Sequence, residues 1–479
     1  MGLSRCAPVV LAAALLLRSG PAGAQNLPAG FIEQVVFRGL DQPTAVRFAS
    51  DGRVFVAEKS GVVQVFRDLD HPTPAVFADL RTSVNDYGDR GLFGLALPAD
   101  FPRTPWVYVL YTLDAAPGGT PPRWGVPGAG GDVCPEPAGG DAAGCVAGAR
   151  LSRLRAADDL ATGDEQVLLD RGWCAQFPGH SVGDLAFGED GALYVSAGDG
   201  ASSGAVDWGQ WGGNACGDPP QAGGALRAQS PDVPGASALF DGAVLRLDPE
   251  TGRAFRDNPH AGRGAADDRV VGYGFRYPYR IAPRPGTHEV WVADIGWRTW
   301  EEIDRITDVR GRAIENFGWP CFEGESRQEG YVAANLGVCA RLLARPGDVT
   351  APVFAYRHGE PVVGGEACES GPGSAISALA FYRGGRYPST FDGALFFADH
   401  ERRCIWALPL GADGEVDVAA RLTFEAGAAA PTALEIGPDG DLFYVDMTGG
   451  TIRRIRYVGM SSPPRSMLRA GNAAAGPRG

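Results

Sequence analysis

The chain holds six histidines among 479 residues, so each can be weighed for proton transfer. His180 stands in the phrase PGHSVGDL, and nineteen residues on, the next strand pattern ends in Gly-Asp199-Gly. In a hairpin of that length, the entry of the first strand and the exit of the second lie at one end of the sheet. His180 and Asp199 can therefore be neighbours, and an imidazole oriented by a carboxylate is the usual general-base pair. The same spacing also fits a surface histidine before a strand and an aspartate that caps a turn. Arg276 lies between aromatics in YGFRYPYR. A guanidinium there can grip a carboxylate in a fork, or stack on a ring and stabilise a turn. Gly296-Trp297 follows the next strand exit, with Glu301 and Glu302 just beyond, and Asp89-Arg90-Gly91 precedes another strand entry. These positions are expected to share one rim.

The elements that must position them come from an internal repeat. The clearest copy is VGDLAFGEDGALYVSAGD, Val182 to Asp199. An Asp-Gly turn between two apolar runs is a strong hairpin signal. Further copies start at Pro43, Phe93, Arg276, Ile376 and Pro431, each followed by further strand-like phrases such as GVVQVFRD, GAVLRLDPETG, RCIWALPL and GTIRRIRYVG. Six two-stranded units extended to four strands predict an all-β fold, a six-bladed β-propeller with four-stranded blades. The spacing of the starts is wide and uneven, so blades two to five are expected to carry long inter-strand loops, the usual seat of function on a rigid scaffold. The strand FIEQVVFRGL, from Phe31, is expected to join the last blade beside Ile452 to Tyr457 and so close the ring without an exposed edge. The insertion from Ala115 to Gly148, rich in Gly and Pro, reads as a loop. High Gly (69) and Pro (37) suit many short strands joined by turns.

A formal net charge of −14 excludes a nucleic-acid footprint. Lys59 is the single lysine. Arg5, the apolar run from Pro8 to Leu17 and Ala22-Gly23-Ala24 read as a signal peptide over 1–24, which places the mature protein in the periplasm or outside the cell. Residues 25–460 would form the propeller and 461–479 a disordered tail, and no later stretch is apolar and long enough to span a bilayer. Eight cysteines follow the signal segment, an even number that argues for disulfides in an exported chain. Sequence-adjacent pairing (134–145, 174–216, 321–339, 368–404) is one of many possible connectivities.

The phrases HSVGDLAFGEDGALYVSAGDG, YGFRYPYR, ADIGWRTWEEID, ENFGWPCFEG and DRGLFGLALPADF resemble the glucose/sorbosone dehydrogenase family, from about Phe31 to Tyr457. These are soluble quinoprotein sugar dehydrogenases that use pyrroloquinoline quinone (PQQ) and calcium. The resemblance implies a propeller that holds the quinone over its central mouth. It implies His180 as the base that takes the sugar hydroxyl proton, Asp199 as its orienting carboxylate and Arg276 as a quinone contact. It implies the backbone carbonyls of Gly296 and Trp297 as calcium ligands. The sequence also departs from the family. Glu401 or Arg402 stands where a lysine grips the quinone, and Ala430 and Thr432 stand where two arginines do. Tyr277 replaces an asparagine, and Asp89 a glutamine or glutamate. The cofactor contacts expected are thus Arg276, Tyr277, Asp89 and Arg402. GWPCFEG and the last repeat also resemble a branch that includes relatives of the Hedgehog-interacting proteins, which act as binders.

The function expected is an exported PQQ- and calcium-dependent sugar dehydrogenase that passes electrons to a soluble acceptor. The alternative is a non-catalytic propeller that binds carbohydrate or protein at its mouth. A calcium-dependent hydrolase or lactonase would need several side-chain carboxylates to converge on the axis, beyond Asp89, Asp199 and Glu302.

Overall fold

The computed structural model describes residues 27–134, 145–233, 235–236, 240–262 and 268–459. The expected signal segment and tail lie outside these residues, as does the stretch between Cys134 and Cys145.

The repeats form the two inner strands of six sheets. The innermost strands are Pro43–Phe48, Leu92–Ala96, Val182–Phe187, Pro278–Pro283, Ile376–Phe381 and Pro431–Ile436. Each packs beside the innermost strand of the next blade, and the last packs beside the first, which closes the ring. Second strands such as Leu193–Ala197, Val290–Asp294 and Leu395–Asp399 are buried along their whole length. They lie in the middle of a sheet whose two faces both pack on neighbouring blades, which is why they read as unbroken apolar runs. The turns joining first and second strands take glycine where the backbone demands it: Gly52, Gly191 and Gly440 have φ of 96°, 80° and 76°.

Blades one, two, four, five and six are four-stranded. Blade three departs from the expectation, because Glu315–Asn316 adds a fifth strand, parallel to Val270–Tyr273. The inner strand of blade four begins at Pro278, two residues later than the sequence pattern suggests. The amides of Arg276 and Tyr277 are given to the Asp294 carboxylate instead of to the ladder.

The ring closes as expected. Phe31–Arg38 pairs antiparallel with Thr451–Tyr457, with Phe31 opposite Tyr457. The Phe31 ring sits 4.7 Å from Tyr387, 5.1 Å from Phe424 and 4.9 Å from Tyr457. One N-terminal side chain thereby fastens blades five and six together.

The axis is filled by charge. Arg280 of blade four donates to the carbonyls of Thr432 (3.0 Å) and Thr44 (2.7 Å) across the centre. Arg47 of blade one pairs with Asp184 of blade three (3.2 Å) and Glu435 of blade six (3.1 Å). Arginine suits this place because its five donors can satisfy carbonyls and carboxylates from several blades at once.

Four disulfides join Cys134–Cys145, Cys174–Cys216, Cys321–Cys339 and Cys368–Cys404. The third clips the long segment between the third and fourth strands of blade four. That segment carries two short helices, α1 (Glu329–Ala333) and α2 (Gly337–Ala344). Its buried Trp319 and Tyr331 pack with Leu226 and Ala201 of blade three. Among the described residues, no helix is long and apolar enough to cross a membrane.

Replacing the ring-closing phenyl should therefore be costly. Phe31→Ala is expected to lower unfolding stability in urea by about 3 kcal/mol, in the range for a buried aromatic. A midpoint unchanged from the parent protein would show that the N-terminal strand does not hold the ring.

Candidate active site

His180, Asp199, Arg276 and Tyr277 meet at one mouth of the propeller. His180 Nδ1 lies 2.9 Å from Asp199 Oδ1, and the two side chains are 5% and 1% exposed. Nε2 makes no hydrogen bond among the described residues. An ionised Asp199 keeps the imidazole proton on Nδ1, so the lone pair of Nε2 is left to accept one.

The pair is built with care for its backbone. His180 has φ of 46°, a left-handed conformation uncommon for a side chain of this size. Its carbonyl accepts the amide of Gly200 at 3.0 Å. A Cβ on Gly198 would stand 2.4 Å from that carbonyl oxygen, so only glycine fits beside it. The Asp199 amide donates to the Arg276 carbonyl at 2.9 Å, which ties the third blade's exit to the fourth blade's entry.

Asp199 is held as a carboxylate. Its Oδ1 also accepts the Ala201 amide (2.9 Å), and its Oδ2 accepts the indole N–H of Trp319 (2.8 Å). Burial pushes its carboxyl up, but the charge and hydrogen bond of His180, with Arg276 and the Ala201 amide, outweigh burial and hold it below the ordinary 3.8.

The Asp199 position has counterparts in other blades. Glu58 at the same strand end accepts the amide of Asp41 (3.0 Å), Asp294 those of Arg276 (2.9 Å) and Tyr277 (2.6 Å), and Asp399 that of Ala375 (3.0 Å). In blades one, four and five this carboxylate clasps the segment that enters the same blade. In blade three it holds a side chain, His180, at the same place.

The other expected residues are distributed as follows. Arg276 is buried, and its Nη1 donates to the carbonyls of Ile295 (3.0 Å) and Gly296 (2.6 Å). Its guanidinium lies 5.7 Å from the Trp319 ring centre. Tyr277 is buried, with its ring 5.5 Å from His180 and its hydroxyl donating to the Val182 carbonyl (3.1 Å). Asp89 is exposed on the same rim, where its amide donates to the Pro178 carbonyl at 2.9 Å. Arg402 stands apart. It is fully buried, and it donates to Ser374 Oγ (2.8 Å) and to the carbonyls of Glu360 and Arg357. Its guanidinium serves the chain's own loops.

A family model for glucose/sorbosone dehydrogenases matches residues 40–454. The chain belongs to the glucose/sorbosone dehydrogenase family. Among curated relatives it is 28% identical over 153 residues to the HIPL2 protein and 25% identical over 264 residues to the HIPL1 protein, both of Arabidopsis thaliana. These matches cover 32% and 55% of this chain but only 20% and 34% of the relatives' own length. Among solved structures it is similar to a candidate oxidoreductase (glucose dehydrogenase) of Thermus thermophilus: 25% identity, TM-score 0.61, 89% of this chain and 100% of that one. It shares its fold with the PQQ-bound aldose sugar dehydrogenase of Streptomyces coelicolor: 17% identity, TM-score 0.57, 90% of this chain and 100% of that one.

Two features of this family member bear on cofactors. The first is the Gly296-Trp297 turn, where calcium was expected. The Gly296 carbonyl, one of the two expected ligands, already accepts from Arg276 Nη1 at 2.6 Å. The nearby carboxylate is occupied too, since Glu323 Oε1 accepts the amides of Trp297, Arg298, Thr299 and Trp300. A calcium site needs six or more oxygens. In this arrangement these residues do not make one. Among the described residues, no group of three or more His, Cys, Asp or Glu side chains is placed to hold a metal.

The second is the supply of cations for the quinone's carboxylates. Glu401 is exposed, Arg402 is committed elsewhere, Ala430 has no charge, and buried Thr432 gives its hydroxyl to the Val445 carbonyl (3.2 Å). On the other side of the mouth, Lys59 supplies a cation that sequence reasoning missed. Its Nζ donates to the Asp86 carbonyl at 2.5 Å, and its stem lies against Gly91. Burial lowers its pKa, while Asp86, Asp89 and Asp41 draw it back up.

Two other contributors were also missed. Trp319 orients Asp199, and fully buried Arg227 donates to the carbonyls of Asp199 (3.1 Å) and Cys174 (2.6 Å). The GWP phrase that contains Trp319 was the one available signal. Arg227 sits in a loop with no distinguishing pattern.

Behind Arg276 lie buried acids. Burial pushes Asp294 up to about 7. Burial, and then neighbouring carboxylates, raise Glu302 and Asp304 well above the usual range. Both oxygens of Asp304 lack a hydrogen-bond partner. A group raised in the folded state costs nothing while the unfolded chain is also protonated, and its cost grows as pH rises through the folded value. Asp304→Asn is therefore expected to raise the melting temperature at pH 8 and to have little effect near pH 4. A shift equal at the two pH values would show that Asp304 is not held protonated.

Proposed function

We propose that the chain is an exported sugar dehydrogenase that uses PQQ, with His180 as the base that takes the proton of the sugar hydroxyl. The observation that carries this is the His180–Asp199 pair, with Nε2 unengaged at the mouth of a propeller of this family. Four disulfides favour an oxidising compartment, in keeping with export.

The residues fit the quinone on one side of the mouth. Arg276 on blade four and Lys59 on blade one, both next to strand ends on this rim, offer positive charge. Bound PQQ would supply the two-electron acceptor for the hydride released from the sugar carbon. The chain's own part is the proton. Nε2 accepts it as the hydroxyl oxygen becomes a carbonyl oxygen, and the new imidazolium is stabilised by ionised Asp199 at 2.9 Å. Trp319 and the Ala201 amide keep that carboxylate from rotating away. Tyr277, packed on the imidazole, shields the pair from water. No step of this proposal runs through calcium, because the Gly296 carbonyl is engaged by Arg276.

At the positions where the family's cations were expected on blades five and six, Arg402 is committed to loop carbonyls and Ala430 and Thr432 carry no charge, and burying a carboxylate without a cation is costly. PQQ is therefore expected to be held weakly and lost on dialysis. The same observation favours a second possibility, a mouth that binds a saccharide without oxidising it.

Reconstitution with PQQ and a dye-reduction assay over a panel of aldoses separates the two. Dye reduction is expected, and His180→Ala is expected to lower turnover at least about 10²-fold, the lower range for loss of a general base. Asp199→Asn should also lower it, through the wrong imidazole tautomer. Saccharide binding with neither PQQ uptake nor dye reduction would establish the binder instead.

A further inference from the structure

A second concave site lies one aromatic layer from the His180–Asp199 pair. It is a cleft of about 670 Å³ between the 297–300 loop, the 323–330 turn, the 204–206 loop and Arg357. Its floor is Trp297, fixed by an indole hydrogen bond to the Ser203 carbonyl (2.7 Å) and by edge contacts with Trp319 (6.2 Å) and Tyr331 (5.8 Å).

The cleft is unusual in its charge. The molecule carries −14 overall, yet three arginines line this one hollow. Arg298 lies over the Trp297 ring at 4.3 Å and spends one nitrogen on the Gly204 carbonyl (3.2 Å). Arg357 lies over the Trp300 ring at 5.3 Å, and its Nε stands 3.8 Å from the exposed Glu360 carboxylate, which leaves its terminal nitrogens for a ligand. Arg327 is exposed and makes no hydrogen bond or ion pair among the described residues. A guanidinium stacked on an indole keeps its N–H edge free, pre-oriented for a planar oxyanion. Of the acids lining the cleft, Glu323 is buried and engaged by four backbone amides; exposed Glu329, with Glu360 beside Arg357, stands against three cations. The volume matches that of small-molecule sites in general.

We propose that this cleft binds a sugar bearing a carboxylate, of the hexuronate type. The sugar ring lies against the indole edges of Trp297 and Trp300, beside the guanidiniums stacked on their faces, and the carboxylate meets the N–H edges of Arg298 and Arg357. The site stands on its own geometry and does not depend on proton transfer at His180.

The test is a binding titration of the purified chain, followed by calorimetry and by tryptophan fluorescence. The probes are glucuronate, glucose and acetate. Glucuronate is expected to bind saturably and to quench fluorescence, about tenfold or more tighter than glucose or acetate, and to weaken at high salt. Arg298→Gln and Arg357→Gln should each weaken glucuronate about tenfold while leaving the melting temperature unchanged, since both side chains are exposed. Glucose binding as tightly as glucuronate would remove the role of charge. Acetate binding as tightly would reduce the cleft to an anion site without a sugar. No heat and no quenching, or variants that bind as the parent does, would overturn the proposal outright. Loss of dye reduction in the assay above would leave this result untouched.

Discussion

A carboxylate at the end of a blade's second strand is the interaction on which the mouth depends. The inner strand of a propeller blade starts from a loop that crosses from the neighbouring blade, and its first amides face the mouth with no ladder partner. Buried amides without acceptors are costly. Glu58, Asp294 and Asp399 meet that need from within the same sheet. Because the acid is two strands wide of the entry by sequence but adjacent in space, blades one, four and five each set their own rim. At blade three the entering backbone is arranged differently. His180 takes a left-handed conformation, its carbonyl turns to Gly200, and the imidazole meets Asp199. A proton-accepting pair thus arises by changing what a structural clasp holds.

Much of this was legible in the sequence because it is local. Asp-Gly turns, apolar runs and terminal acids recur within stretches of about twenty residues, and they place the six blades, the closing strand from Phe31 and the juxtaposition of His180 with Asp199. The connectivity of the cysteines also followed sequence order. What escaped was contributed from afar. Trp319 reaches Asp199 across 120 residues. Lys59 was noticed only as a solitary lysine, because its neighbours Asp86 and Gly91 belong to the next blade. Arg402 fell near the alignment position of a quinone-gripping residue, yet its guanidinium turns inward to loop carbonyls. Position along a strand can be read from a sequence, whereas the direction of a long side chain is settled by which loop carbonyls lack a donor.

The mouth is therefore asymmetric. Blades one, three and four bring a base, an orienting acid and two cations. Blades five and six keep the blade architecture and bring carboxylates, Asp399 at the rim and Glu435 on the axis, in place of the family's cations. The long segment of blade four, clipped by Cys321–Cys339, brings Trp319 to Asp199, and its Trp319 and Tyr331 pack edge-on against Trp297, the floor of the adjoining cleft.

The closing strand carries a consequence for how the molecule comes into being. Phe31–Arg38 is the first described strand of the chain, and its partner Thr451–Tyr457 is the last. The sixth sheet cannot be completed until synthesis has passed Tyr457, so the N-terminal strand waits without its partner while the five preceding blades are made. Contacts of such sequence separation form late and slowly. Native assembly is thereby coupled to both strands at once: loss of either leaves the same sheet open.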